Sequence, residues 1–153
     1  MSQEYEHDLN LECFLLCRSA ETVNGELYVL GGGASRLVVD TKNQVTEPSE
    51  LNIALRVNEV SALERPITLK LELKDPHGDD AILPFEASFQ PDQQQPDLPF
   101  AISVIVKLQR GQLLLQTPGL HRFILHANGA ELGRTPLYVT HAQIETPHGP
   151  LER

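Results

Sequence analysis

Tryptophan is absent from this sequence, and the other aromatic residues are three tyrosines and five phenylalanines. A core must therefore be assembled from Leu, Ile and Val. Cysteine is scarce too, with Cys13 and Cys17 the only two. If "LECFLLC" is a strand, both thiols share a face but stand about 13 Å apart at about 3.3 Å per residue, too far to bridge. Two lone thiols suit a reducing compartment. Basic residues are few: twelve Lys and Arg against twenty-one Asp and Glu give a net charge of −9. That balance disfavours nucleic acid and anionic membranes as partners, since both need basic side chains against phosphate. No apolar run approaches the ~20 residues that span a bilayer. The opening "MSQEYEHDLN" lacks a basic stretch followed by an apolar one, so it does not read as a secretory signal. The cytoplasm is the expected location.

Long helical periodicity is also missing, and period two is present instead. In "LNIALRVNEV", Leu51, Ile53, Leu55 and Val57 share one face, and Asn52, Ala54, Arg56 and Asn58 the other. "ITLKLELKD" sets Ile67, Leu69, Leu71 and Leu73 against Thr68, Lys70, Glu72 and Lys74. "FAISVIVKLQ" alternates from Phe100 through Ile102, Val104, Val106 and Leu108. Such alternation predicts strands with one buried face. Leu9 to Cys17 alternates through Leu9, Leu11, Cys13, Leu15 and Cys17. Shorter strands are expected at 27–30, 37–40, 113–115 and 137–140, and another over 82–89, where Pro84 implies an edge or a bulge. "LHRFILHA" runs into Asn128-Gly129, a type I′ hairpin signal.

Most prolines fall in short connectors at 46–50, 64–66, 75–80, 90–99 and 117–119. Turn signals at such intervals predict an all-β, immunoglobulin-like sandwich of about eight or nine mostly antiparallel strands. The length suits one domain, expected over residues 9–141. Residues 1–8 read as a flexible acidic arm and 142–153 as a flexible tail.

"LYVLGGGASRLVV" poses a separate question, because Gly31-Gly32-Gly33 could cradle phosphate. A phosphate loop needs Gly-Lys-Ser/Thr and a following helix, whereas Leu37-Val38-Val39 is a poor helix start. The glycines therefore read as a bend or bulge between strands.

Two stretches carry a resemblance: "FLLCRSAETVNGELYVLGGG" (14–33) and "TPGLHRFILHANGAELGRTPLYV" (117–139). With the strands between them, they resemble a family of small bacterial all-β proteins catalogued as a domain of unknown function. The resemblance covers about residues 9–140. It implies an immunoglobulin-like sandwich, no assigned activity and no catalytic residues. Where the family pattern tends to place Tyr after Pro-Gly-x, this chain has His121. A Tyr there would resemble a tyrosine corner, tying the strand start to nearby backbone. A ring nitrogen of His121 could do the same, or His121 could serve as a ligand or base.

"DPHGDD" gathers Asp75, His77, Asp79 and Asp80. Clustered carboxylates can hold Ca²⁺, and Asp75, Asp79 and Asp80 are the candidate ligands. The plainer reading is a solvated turn with Gly78 at positive φ. Cys13 and Cys17 lack the hook spacing of a zinc site. The six histidines are scattered, and no GxSxG elbow occurs. No cofactor is expected. Apolar residues on outward faces are more informative. Continued alternation turns Phe14 and Leu16 away from the core, and Ile105 stands among small or polar neighbours. Phe14, Leu16 and Ile105 are thus the candidate interface. Acidic residues concentrate between Glu72 and Asp97, as a docking face for a basic partner or as a solubilising one. Three readings follow. The first is a non-enzymatic protein-interaction or assembly module that associates with other proteins or with itself. The second is a Ca²⁺-type module built on the Asp75–Asp80 loop. The third is a small-molecule-binding or hydrolytic protein with a loop-built pocket.

Overall fold

A computed structural model describes residues 9–59, 66–81, 85–89 and 101–143. In chain order its elements are β1 (Leu9–Cys17), β2 (Ser19–Val23), β3 (Glu26–Leu30), β4 (Arg36–Asp40), β5 (Val45–Glu47), β6 (Leu51–Glu59), β7 (Ile67–Lys74), β8 (Phe85–Phe89), β9 (Ala101–Leu108), α1 (Arg110–Leu113), β10 (Gly119–Ala127) and β11 (Ala130–Ala142). One sheet has the order β1-β6-β9, a second β5-β4-β11-β10-β7-β8, and β2 and β3 form a separate hairpin. Neighbouring strands are antiparallel except β4 and β11, which run parallel. The two larger sheets pack face to face, so the fold is an all-β, immunoglobulin-like sandwich.

Period two explains the core directly. In β7 every second residue is buried, from Ile67 to Leu73. Facing them, Leu51, Ile53, Leu55 and Val57 of β6 are buried. Leu37, Val39, Phe123, Leu125, Leu137 and Val139 complete the inner face of the larger sheet. Each such side chain contributes about 1.5–3 kcal/mol through burial. The interior has two clusters, one around Phe123 and Leu137 and one around Leu55 and Leu125, and Phe14 packs against both. With no Trp to fill it, the core relies on many interlocked Leu side chains.

The described residues hold eleven strands rather than eight or nine, because β2 and β5 are short and carry little alternation. The strand expected at 113–115 is absent: α1 stands there, and its Leu113 seals one end of the core. β8 lies at a sheet edge, as a neighbouring proline implies. Phe100, Pro84, the acidic arm over 1–8 and the tail from 144 lie outside the described residues. β11 itself continues through Ala142.

The largest departure from simple alternation is in β1. Leu11 pairs with Val57 and Cys13 with Arg56, so Glu12 is an extra residue in the strand. A bulge of this kind shifts the side-chain phase by one. Leu9 and Leu11 face the core before it, and Phe14 and Leu16 face the core after it. Cys13, Leu15 and Cys17 are turned to the other side. The expectation that Phe14 and Leu16 form an outward interface is therefore corrected: Leu16 is 1% exposed. Close packing of β1 on β11 depends on Gly133, where a Cβ would lie 2.6 Å from Leu11 Cδ2.

Candidate functional site: a strapped hairpin with an apolar outer face

Asn24 and Gly25 have φ of 53° and 79°, the left-handed pair of a type I′ turn. They join β2 to β3 in a hairpin pairing Ala20 with Val29 and Thr22 with Leu27. The hairpin lies across the outer face of the β1-β6-β9 sheet as a third layer. Ala20, Leu27 and Val29 are its half-buried side. Beneath it, Cys17 and Ala54 are fully buried although they point away from the sandwich core. Ile105 pairs with Ala54 on this same face and is half-buried. Cys13 and Cys17 also lie there, with Sγ atoms 3.8 and 3.5 Å from the carbonyls of Ala54 and Asn52. Burial raises both thiol pKa values; Glu12 adds to the effect at Cys13, and Cys13 adds to it at Cys17. Thiolate reactivity is correspondingly suppressed.

Polar straps hold the hairpin at both ends. At its base, Arg18 N–H donates to Leu30 O at 3.1 Å, and Asn52 Nδ2 donates to Arg18 O at 2.8 Å. At its tip, Arg56 Nη1 donates to Gly25 O at 2.9 Å and to Ser103 Oγ at 2.7 Å. Arg56 Nε is paired with Glu12 at 2.6 Å, and Asn58 also donates to Glu12. The bulge residue thus aims the arginine that holds the tip. The glycine triplet returns the chain from β3 to the sandwich: Gly31 and Gly33 have φ of 65° and 84°. The amides of Gly33 and Ala34 both donate to Leu16 O, at 2.8 and 3.2 Å, so they serve the bend rather than an anion.

The outward face of the hairpin is apolar. Leu30 is 71% exposed, Tyr28 51% and Val23 43%; among the described residues only Tyr138 is a comparable exposed apolar side chain. Tyr28 and Leu30 are neighbours on one face of β3, and Val23, opposite Glu26, is diagonal to Tyr28. Glu21 and Glu26 stand among them, and Tyr28 Oη donates to Glu26 at 3.0 Å. The alternation reading missed this surface. Asn24-Gly25, the same signal as Asn128-Gly129, marks the hairpin in the sequence.

The other candidates are placed as follows. Asp75 Oδ1 accepts the amides of His77 and Asp79 at 2.8 and 2.9 Å, and these bonds hold its pKa low, the Asp79 amide foremost. Asp80 pairs with Lys74 at 2.6 Å. Asp75, Asp79 and Asp80 therefore shape a turn and do not converge; no group of three potential ligands does so among the described residues. On the outer face of the larger sheet, Thr68, Lys70, Glu72, Glu86, His126 and Gly129 line a depression of about 380 Å³. Its central Glu72 carboxylate is shared by Lys70 at 3.1 Å, His126 at 3.4 Å and Lys74 at 3.9 Å. The Lys70 hydrogen bond is the main reason its pKa is lowered. This acidic stretch is thus partly neutralised within its own sheet.

His121 is 1% exposed on the inner face, with Nδ1 3.2 Å from Gly119 O. It ties the start of β10 to nearby backbone, the structural role open to it from sequence. Burial lowers its pKa, with His141 adding to the effect, while Gly119 O and Asp75 oppose it. Between that lowered value and the ordinary ~6.5, the unfolded chain binds more protons than the folded one. Stability from this group is therefore complete above about pH 6.5 and falls as pH drops toward the folded pKa. Urea midpoints measured across that range are expected to decline on acidification, and His121→Phe to flatten the decline.

No curated protein matches the chain. Among solved structures, it resembles the Pseudomonas fluorescens alkylpurine DNA glycosylase AlkC over 87% of its length, at 8% identity and a TM-score of 0.48, spanning 30% of that chain. It resembles a Listeria innocua β-glucosidase over 90% of its length, at 12% identity and a TM-score of 0.49, spanning 16% of that chain. An immunoglobulin-like protein from Pseudomonas aeruginosa matches over 88% of this chain and 98% of its own, at 11% identity and a TM-score of 0.41. Likeness at this level transfers no activity, substrate or partner. No helix among the described residues is long and apolar enough to cross a membrane. The sequence pattern that does match runs over residues 12–140, from the bulge in β1 into β11, two residues short of that strand's end, and by it the chain belongs to the family of unknown function DUF6941.

Proposed function

We propose that this domain is a non-enzymatic protein-interaction module whose docking surface is the outer face of the β2–β3 hairpin. The observation that carries this reading is the gathering of Val23, Tyr28 and Leu30 on one outward face. An apolar surface on a rigid platform loses little conformational freedom on binding. Here Arg56, Asn52 and the Leu16 carbonyl fix that platform. The partner is a protein with an apolar patch rimmed by basic side chains. Glu21 and Glu26 lie within the surface, and the chain's charge of −9 attracts a basic partner over distance. A second copy docking by this same face would set acids against acids, so a different protein is the better fit. The unbridged Cys13 and Cys17, half-buried and buried, agree with a reducing cytoplasm.

Site-specific photo-crosslinking in the host cell tests the proposal. A crosslinker replacing Tyr28 or Leu30 is expected to trap one discrete protein band, and one replacing Ser88 on the opposite sheet is not. Leu30→Glu, with a crosslinker at Tyr28, is expected to abolish the band while the domain stays folded. Equal trapping at both faces, or none at Tyr28 and Leu30, overturns the assignment.

A further inference from the structure

β9 forms one end of the three-stranded sheet. On its inner side it pairs with β6 without interruption, from Ala101–Asn58 to Leu108–Leu51. An unbroken ladder on one side leaves a regular row of amide and carbonyl groups on the other. Among the described residues no strand pairs with that outer side. The remaining sheet ends are short or interrupted. β1 carries the bulge at Glu12 and packs against β11. β5 has three residues and runs into Pro48, and β8 has five. Of the usual edge protections β9 carries only a single lysine: it has eight residues, no proline, no glycine, no bulge and no inward charge. Its one charge, Lys107, is 3.3 Å from Glu50.

We infer that β9 pairs antiparallel with β9 of a second copy, about a two-fold axis through Val104. In that register Ile102 faces Val106 on the core side, and Ser103 faces Ile105 on the outer side. Lys107 falls opposite Ala101, which keeps the two lysines apart. Cross-strand β-branched pairs stabilise sheets and like charges opposite one another destabilise them, so the strand is complementary to itself. The contact is isologous: the same edge serves both copies and the pairing closes at two, so the β9 edge itself is used up rather than left to propagate a fibre. It joins two three-stranded sheets into one of six. It also extends the core, because Ile102 is buried and Val104 packs at the margin of the second cluster. Val23, Tyr28 and Leu30 take no part, so the inference stands apart from the hairpin docking surface.

Sedimentation velocity of the full chain from micromolar to millimolar concentration tests it. A monomer–dimer equilibrium is expected. Ile105→Glu brings two carboxylates diagonally across the axis and is expected to weaken dimerisation by about tenfold or more. Leu30→Glu is expected to leave it unchanged. Ile105 also borders the hairpin, so circular dichroism must establish that the Ile105 variant is folded. Should it not fold, hydrogen exchange on the wild type decides, with the outward amides of residues 101–108 expected to gain protection as concentration rises. A monomer at every concentration, a dimer with unprotected β9 amides, or a folded Ile105→Glu variant that dimerises as well as wild type overturns the inference.

Discussion

Replacing Leu16 with Ala is expected to lower the free energy of unfolding by about 3 kcal/mol, within the usual range for a buried leucine. Leu16 is 1% exposed and packs among Leu37, Leu51, Ile53, Leu113 and Leu137. Truncation removes the transfer energy of its methyl groups and leaves a cavity that neighbours on two sheets cannot jointly fill. Its backbone is fixed as well, since the Leu16 carbonyl accepts the amides of both Gly33 and Ala34. The side chain therefore cannot follow the void by a small shift of β1. A solvent-facing leucine would change stability by no more than about 0.5 kcal/mol. Urea unfolding separates the outcomes cleanly, and a change below 1 kcal/mol would mean that the bulge at Glu12 does not turn this residue inward.

The second large effect belongs to Gly31→Ala. At φ of 65°, an L side chain costs about 1–2 kcal/mol from backbone crowding alone. Here the new Cβ would also stand 2.6 Å from Arg18 Cγ and 2.9 Å from Arg18 Cβ. The near end of a side chain cannot swing away without moving its backbone. Arg18 backbone is engaged on both sides, through N–H to Leu30 and through O from Asn52. The combined cost is expected to reach about 2–3 kcal/mol. It should fall on the base of the hairpin rather than on the sandwich. Hydrogen exchange is the discriminating measurement: the amides of 19–30 should lose protection while those of β7 and β10 keep most of theirs. Uniform loss across both sheets would mean that the hairpin and the sandwich unfold as one unit.

Much of this architecture was legible because a strand with one wet face writes its period into the chain. β6 and β7 alternate cleanly and are buried on the face their alternation names, while on the named face of β9 Ile102 and Leu108 are buried and Val104 and Val106 half-buried. Asn128-Gly129 marks its turn because few other pairs tolerate two residues at positive φ. Asn24-Gly25 carries the same information, so the hairpin surface was present in the sequence although alternation alone passes over it. β1 was not legible. One extra residue at Glu12 reverses the phase, and a sequence shows where side chains alternate but not where a ladder skips. Phe14 and Leu16 consequently belong to the core, and of the three interface candidates only Ile105 stays on the outer face.

The sequence by itself determined the class of fold, the composition of the core, the positions of the tight turns and the acidic charge. Each of these follows from local chemistry: alternation, backbone freedom at glycine and asparagine, and the count of ionisable groups. Only the tertiary structure decided which apolar residues remain exposed. Burial depends on what lies across from a face, and residues far apart in the chain provide it. Arg56 reaches over to Gly25, Asn52 to Arg18, and the strapped hairpin then covers Cys17 and Ala54 while presenting Tyr28 and Leu30. "DPHGDD" and His121 are different: Asp75 bonds the amides of His77 and Asp79, and His121 bonds Gly119 O, so their partners lie within four residues and the structural reading of each was open to the sequence.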